Sequence, residues 1–310
     1  MSARPLDGKV IVVTGGTQGL GAATARLAAA RGATGVAIVG RNAERGGAVV
    51  AELQAAGADA LFVAAELGAP AAAEQIMVRV DQHFGVVHGL VNAAAATERG
   101  GIWDTTAPML DRTLAVNVRT PLLLTQAAAR IMRREGVAAS IVNIGSVSGY
   151  GGDVFLLPYA VSKGALHALT RNVAFALMRD RIRVNLLNLG WMDTPGEDVT
   201  QRTYHGAGGD WLARASAAQP LGRLIDPVEA ARTICFLLSE ESGLMTGAVV
   251  DFDQSVLGAG SASKPTADDV WPVAAASGVS GSRRSEVDGP VRHAGEERAC
   301  GGRTERTSDG

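Results

Sequence analysis

The chain has 310 residues, 47% of them hydrophobic, and its 29 lysines and arginines nearly balance 31 aspartates and glutamates. The net charge of −2 gives no electrostatic reason to expect nucleic acid or an anionic membrane as a partner. Two cysteines, Cys235 and Cys300, exclude a disulfide framework, lack metal-ligand spacing and favour a reducing, cytoplasmic setting. No apolar run approaches the ~18 residues of a membrane span, and the run at 10–13 is too short for a signal-peptide core.

Apolar strands alternate with helices along most of the chain. We predict strands over 10–13, 36–39, 61–63, 89–92, 140–144, 183–189 and 249–252. Helices are predicted over 21–31, 44–56, 72–84, 113–134, 159–179 and 227–238. Continuous apolar strands between amphipathic helices indicate a parallel sheet that is covered on both faces. The predicted fold class is therefore α/β, a doubly wound, Rossmann-like parallel sheet in a single domain.

The composition changes near residue 260. Residues 261–310 contain no Leu, Ile, Phe, Tyr or Met and have no periodicity. Such a segment cannot bury enough apolar surface to offset an ordering entropy of about 1–2 kcal/mol per residue. We therefore predict a folded Rossmann-like domain over 1–258 and a disordered tail over 259–310. An out-of-frame extension and a basic functional arm are the alternatives for the tail.

A glycine-rich loop lies between the first strand and the first helix, with the sequence TGGTQGLG at 14–21. Glycines there let the backbone approach a diphosphate, and the helix N-terminus offers free N–H groups with a partial positive charge. The strand before and the helix after the loop favour a cofactor site over a plain glycine-rich turn. The candidate contacts are Gly15, Thr17, Gln18, Gly19, Leu20 and Gly21.

Four polar residues outside this loop form a second pattern. Tyr159 and Lys163 stand at i, i+4 on a predicted helix, so phenol and ammonium share one face. Ser146 follows the strand predicted at 140–144, at the sheet edge where ligands bind, and Asn117 lies in the preceding helix. With the TGxxxGxG spacing of the loop, this set resembles the Asn-Ser-Tyr-Lys tetrad of short-chain dehydrogenases/reductases. The resemblance covers residues 5–257.

The resemblance implies a role for each member of the tetrad. Tyr159 would be the general acid or base, and Lys163 would hold the nicotinamide ribose and lower the pKa of Tyr159. Ser146 would hydrogen-bond the substrate oxygen, and Asn117 would hold a water that links Lys163 to solvent. The resemblance also assigns cofactor contacts to Tyr159, Lys163, Arg41, Asn42, Glu66, Leu67, Asn92, Ala93, Gly190, Met192 and Thr194.

The choice of nicotinamide cofactor is expected to depend on the end of the second strand. Gly40 stands where NAD-dependent members commonly have an aspartate, and Arg41 follows it. An arginine can bind a 2′-phosphate with two hydrogen bonds, whereas an aspartate would repel one. Gln18 stands where NADP-dependent members often have a second base. The sequence therefore favours NADP, with NAD as the alternative.

The predicted function is that of an NAD(P)-dependent oxidoreductase that interconverts a secondary alcohol and a ketone. An idle NAD(P)-binding sensor or scaffold, and a dehydratase or epimerase with the same Tyr/Lys pair, are the alternatives. The substrate would be a small molecule framed by segments 147–158 and 191–221, with His205 interpreted as a surface histidine. The resemblance also implies a homotetramer, with helices beginning near 113 and 159 pairing between subunits.

Overall fold

The computed structural model describes residues 4–256, and these form one seven-stranded parallel sheet in the order β3-β2-β1-β4-β5-β6-β7. The strands are β1 (Val10–Thr14), β2 (Gly35–Gly40), β3 (Asp59–Ala64), β4 (Gly89–Asn92), β5 (Ala139–Ile144), β6 (Ile182–Leu189) and β7 (Val249–Phe252). Every residue of β1, β2, β4 and β5 is buried, as expected for strands covered on both faces. The predicted disorder of residues 259–310 lies outside the described residues.

Nine α-helices accompany the sheet within residues 4–256. They are α1 (Gly19–Ala30), α2 (Ala43–Ala55), α3 (Ala72–Phe84), α4 (Ala107–Leu114), α5 (Thr120–Arg134), α6 (Leu157–Leu177), α7 (Pro195–His205), α8 (Trp211–Ala217) and α9 (Pro227–Leu238). One apolar core joins α1, α2 and α9 to the sheet, and a second joins α3, α5 and α6. None of these helices is long and apolar enough to cross a membrane.

This arrangement confirms the predicted doubly wound α/β fold. The strand order reverses between β1 and β4, which are hydrogen-bonded neighbours with Thr14 opposite Asn92. Connections leave these two strands toward opposite sides of the sheet, so a crevice opens at their carboxyl ends. The glycine-rich loop, the end of β5 and the segment after β6 all reach this edge.

The helix predicted over 113–134 is two helices joined by a π turn at Ala115–Arg119. The backbone N–H of Thr120 donates to the carbonyl of Ala115, five residues back, and its hydroxyl donates to the same oxygen at 2.9 Å. Pro121 has no N–H and cannot give the carbonyl of Asn117 its usual α-helical bond. The proline thus favours the wider turn, and Asn117 lies within it.

Helices α7 and α8 were not predicted from the sequence, because α7 is too polar to show an apolar period and α8 has only seven residues. Only Thr200 is buried in α7. The local start and stop signals were nevertheless present. The Thr194 hydroxyl accepts from the Glu197 N–H at 3.0 Å, Pro195 occupies the first turn, and Gly206 ends α7 in the left-handed region at φ +59°.

Candidate active site

The crevice at the carboxyl ends of the strands is a cavity of about 970 Å³. It brings together most of the residues that the sequence singled out. These are Gly15, Thr17, Gln18, Gly19, Leu20, Gly21, Arg41, Glu66, Leu67, Ala93, Ser146, Tyr159, Lys163, Gly190, Met192 and Thr194.

Three predicted site residues, all asparagines, do not line the cavity. Asn42 caps α2 by accepting from the Arg45 N–H at 2.8 Å. Asn92 is buried between β4 and β5, where its amide donates to Asn143 at 2.8 Å and its own Oδ1 has no partner. Asn117 is 1% exposed and lies behind the cavity wall.

The glycine-rich loop has the shape that a diphosphate requires. Gly15 and Gly19 have φ values of +68° and +54°, which few side-chain-bearing residues adopt. A Cβ on Gly21 would lie 2.3 Å from the carbonyl oxygen of Gly15, so the loop packs against α1 only without a side chain there. Gln18 precedes α1 and does not cap it with its side chain. The first N–H groups of α1 therefore remain available to an anion, and the loop fits a dinucleotide.

Asn117 connects the loop after β4 to α6. Its Oδ1 accepts from the Ala96 N–H at 2.7 Å, and its Nδ2 donates to the Ala96 carbonyl at 2.9 Å and to Ser162 Oγ at 3.0 Å. Ser162 Oγ in turn donates to the Tyr159 carbonyl at 2.7 Å. These bonds use both amide hydrogens of Asn117 and tie the loop after β4 to the turn of α6 that carries Tyr159 and Lys163.

Ser146 and Tyr159 meet at the end of β5. Ser146 is 8% exposed, and its hydroxyl accepts from the Ser148 N–H at 3.2 Å. We expected a nearby lysine to lower the pKa of Tyr159, but the net direction is the opposite. Burial raises the pKa of the phenol, while a hydrogen bond with Ser146 and the charge of Arg99 act in the lowering direction.

Lys163 is 3% exposed and forms none of the ion pairs found among residues 4–256. Its Nζ donates to the Ile144 carbonyl at 2.7 Å and lies 5.4 Å from the centroid of the Tyr159 ring. Burial of this ammonium lowers the pKa of Lys163 to about 8. Because this pKa lies close to neutral pH, a polar group bound in the cavity can change the protonation state of Lys163.

One arginine, Arg41, lines the far end of the cavity, and a second, Arg45, reaches a residue that lines it. Arg41 Nη1 lies 3.6 Å from Glu66 Oε2, and both side chains are mostly exposed. The guanidinium of Arg45 donates to Gln18, which occupies the position where the sequence lacked a second base. A Cβ on Gly40 would lie 2.6 Å from the Thr17 Cγ2 methyl, so an aspartate at this position would require the Thr17 side chain to move. Sequence reasoning missed Arg45, although a cation in the first turn of a helix was an available signal.

The opposite end of the cavity is lined by aromatic and charged side chains from three segments. Glu197 Oε1 accepts from Trp191 Nε1 at 2.8 Å and from Gln201 Nε2 at 2.7 Å. His205 is the last residue of α7 and is exposed, as interpreted from the sequence, and it also lines the cavity beside Arg99. Arg99 was not singled out from the sequence, because its loop has no motif that marks it.

Comparison with known proteins gives consistent matches. The model of a family described as enoyl-(acyl carrier protein) reductase matches residues 15–255. An uncharacterized oxidoreductase of Thermotoga maritima is 34% identical over 80% of this chain and 96% of its own length. A cis-4-hydroxycyclohexanecarboxylate dehydrogenase of Sinomonas cyclohexanicum is 33% identical over 79% of this chain and 95% of its own. The structure of L-sorbose reductase from Gluconobacter frateurii, complexed with NADPH and L-sorbose, has a TM-score of 0.76 at 26% identity, and the match covers 81% of this chain and 97% of that one.

Burial of Lys163 predicts a specific dependence of stability on pH. The folded protein releases the ammonium proton near pH 8, whereas the unfolded chain holds it to about 10.5. The folded state binds fewer protons between these values, so the free energy of unfolding rises with pH in this window. Lys163→Met removes this dependence. Relative to the variant, the wild type should gain up to about 3 kcal/mol between pH 8 and 10.5.

Urea denaturation of both proteins across this pH range measures the difference directly. Lys9→Met is the matched control, because it removes an ammonium that, unlike that of Lys163, forms an ion pair with an exposed carboxylate, Glu240. A wild-type-minus-variant difference that stays constant with pH would contradict the assignment of a desolvated ammonium to Lys163.

Proposed function

Because this chain belongs to the short-chain dehydrogenase/reductase family of oxidoreductases, we propose that it interconverts a secondary alcohol and a ketone. A nicotinamide dinucleotide bound in the cavity supplies or accepts the hydride. The observation that carries the proposal is the presence of Ser146, Tyr159 and Lys163 in one cavity with the open glycine-rich loop. The cis-4-hydroxycyclohexanecarboxylate dehydrogenase and the L-sorbose reductase support a substrate with such a group.

Tyr159 is the general acid in the reductive direction. Burial raises the pKa of its phenol, so the phenol keeps its proton near neutral pH and can donate it to a carbonyl oxygen. Ser146 lies beside it and donates a hydrogen bond to the same oxygen, where negative charge develops. In the oxidative direction Tyr159 accepts the proton from the alcohol, so one pair of side chains serves both directions.

The other members of the site bind and orient the reactants. The N–H groups at the start of α1 would hold the diphosphate, and Lys163 would hold the nicotinamide ribose. Thr194, beside Gly19 and at the start of α7, would contact the carboxamide. Asn117 is a positioning residue, since its amide fixes the turn of α6 that carries the catalytic side chains.

We propose that NADP(H) is the preferred cofactor. Arg41 lines the cavity end where Gly40 replaces an acidic side chain, and the guanidinium of Arg45 donates to Gln18, which lines the same end. Arginine binds phosphate through paired hydrogen bonds, whereas a ribose hydroxyl gains less from such a charge. The complex of L-sorbose reductase with NADPH is consistent with this choice.

We propose a cytoplasmic setting, because the one cysteine in the described part of the chain, Cys235, is a buried free thiol. Cys235 lies on the completely buried face of α9. Burial raises its pKa to about 12, so this thiol is unreactive at neutral pH. The fold of residues 4–256 therefore does not depend on an oxidising compartment.

Tyr159→Phe tests the proposed chemistry. Loss of the phenolic proton should lower kcat for ketone reduction about 10²- to 10⁴-fold while NADPH still binds, because general acid–base catalysis has this magnitude. Turnover is measured over a panel of cyclic alcohols, ketoses and their ketones, and cofactor binding by fluorescence. Tyr150→Phe is the matched control, since Tyr150 contacts Asp251 outside the cavity lining. Equal activity in Tyr159→Phe would sink the proposed mechanism, and cofactor binding without turnover of the panel by the wild type would favour the idle sensor.

Arg41→Ala tests the proposed cofactor preference. The variant should weaken NADPH binding about 10-fold or more and leave NADH binding nearly unchanged, because only NADPH carries the 2′-phosphate. Titration of each cofactor against the wild type and the variant measures this ratio. Arg26→Ala is the control, since Arg26 pairs with Glu52 on the exposed surface of α1 and α2. An equal loss for both cofactors, or no loss, would refute the preference.

We propose a homotetramer that covers apolar side chains on α6 and at its end. Val161, Phe175 and Met178 are 49%, 81% and 54% exposed in the single chain. Light scattering should give four times the chain mass of 31.8 kDa, and Phe175→Glu should yield smaller species, because a charge there cannot be buried without a partner. A wild type that elutes as a monomer would rule out this assembly.

A further inference from the structure

One cation on the substrate side of the cavity has no carboxylate within ion-pair distance in the part of the chain that the structure describes. Arg99 lies in the loop after β4, is partly buried and lines the cavity. Its Nη1 donates to the Thr97 carbonyl at 3.0 Å, and its Nε lies 3.4 Å from His205 Nε2. None of the ion pairs among residues 4–256 includes it. Since a guanidinium cannot lose its proton, a partly desolvated positive charge faces the site.

Aromatic rings hold this guanidinium in place. Its central carbon lies 5.9 Å from the centroid of the Phe155 ring and 5.9 Å from that of Tyr204. The Phe155 ring also meets the His205 ring edge to face, with centroids 5.3 Å apart. Three separate segments thus fix one planar group, which lowers the entropy that Arg99 would lose when it binds a ligand.

The acidic side chains of the same cavity have donors of their own. Asp153 accepts from the Ser148 hydroxyl at 2.6 Å, and Glu197 accepts from Trp191 and Gln201. Neither carboxylate forms an ion pair with Arg99. The donors of Arg99 that are not used by Thr97 and His205 are therefore left for a ligand, and they form the fork that matches the two oxygens of a carboxylate.

We propose that Arg99 binds a carboxylate of the substrate, so that keto acids and the corresponding hydroxy acids are the preferred substrates. This inference rests on the proposed alcohol–ketone chemistry at Tyr159. The carboxylate is held at Arg99 while the carbonyl oxygen meets Ser146 and Tyr159, so the length of chain between the two groups determines which acids are used. Arg99 is a specificity-determining residue: its charge acts in the direction that lowers the pKa of Tyr159, but the guanidinium neither donates nor accepts the transferred proton.

Three linear keto acids, 4-oxopentanoate, 5-oxohexanoate and 6-oxoheptanoate, test the proposal beside their methyl esters. Each ester keeps the ketone and the chain length but lacks the charge. The wild type should reduce at least one acid with a kcat/KM about 10- to 100-fold above that of its ester, the factor that a charge-assisted, bidentate hydrogen bond provides. The NADPH-loaded full chain is used throughout.

Arg99→Gln should remove this preference, lowering kcat/KM for the acid about 10- to 100-fold and for the ester by no more than about threefold. Arg99→Lys keeps the charge without the fork and should retain part of the preference. Arg26→Gln, on the exposed surface of α1, is the control that should leave both substrates unchanged. An equal loss on acid and ester in Arg99→Gln, or a wild type without preference for any acid, would overturn the proposal.

Calorimetric titration of the NADPH-loaded protein separates this inference from the proposed function. If neither acid nor ester is reduced, the proposed function fails. Binding of an acid that is lost in Arg99→Gln would then still support the carboxylate site. Ketone reduction by a protein in which Arg99→Gln does not change acid binding would leave the proposed function intact and overturn the carboxylate site.

Discussion

The site depends on keeping the ammonium of Lys163 inside the protein without a carboxylate beside it. Such a charge is costly to bury, and here its hydrogen-bond partner is a single carbonyl, that of Ile144 at the end of β5. The helix and the strand that hold it must therefore be fixed by other bonds. Asn117 provides them through Ser162, and the π turn that holds Asn117 follows from Pro121. The π turn, which lies more than forty residues before Lys163 in the chain, thus helps to hold the helix that carries this lysine.

The same desolvation shifts the pKa values of the two titrating groups of the site in opposite directions. Burial favours the neutral form of each, so it lowers the pKa of Lys163 and raises that of Tyr159. A phenol that keeps its proton suits proton donation to a carbonyl, and an amine close to neutrality is easily recharged by a bound ligand. The groups that act to lower the pKa of the Tyr159 phenol are Ser146 and Arg99, and Lys163 is not among them.

The sequence predicted the sheet and those parts of the site whose residues lie close together in the chain. Strands β4 and β7 and helices α3 and α9 coincide with their predicted ranges, because each is an apolar run or a clear amphipathic period. The glycine-rich loop and the Tyr159–Lys163 spacing carry their chemistry within a few residues. The π turn and the polar helix α7 have only weaker local signals, which are Pro121 for the turn and the Thr194 cap and Gly206 for the helix. The pairing of Arg45 with Gln18 joins two separate segments, so no local pattern shows that the two side chains meet.

The predicted and the unpredicted parts of the site lie mainly at opposite ends of the cavity. The dinucleotide end is built from consecutive strand–loop–helix units, and a fixed backbone shape is enough to bind a constant ligand. The substrate end is assembled from the loop after β4, the loop before α6 and the end of α7, whose side chains meet at Arg99, Phe155, Tyr204 and His205. A contact between three loops can change without disturbing the sheet. Specificity is therefore expected to reside where sequence patterns are weakest, and the unpaired charge of Arg99 is the feature of that end with the clearest chemical meaning.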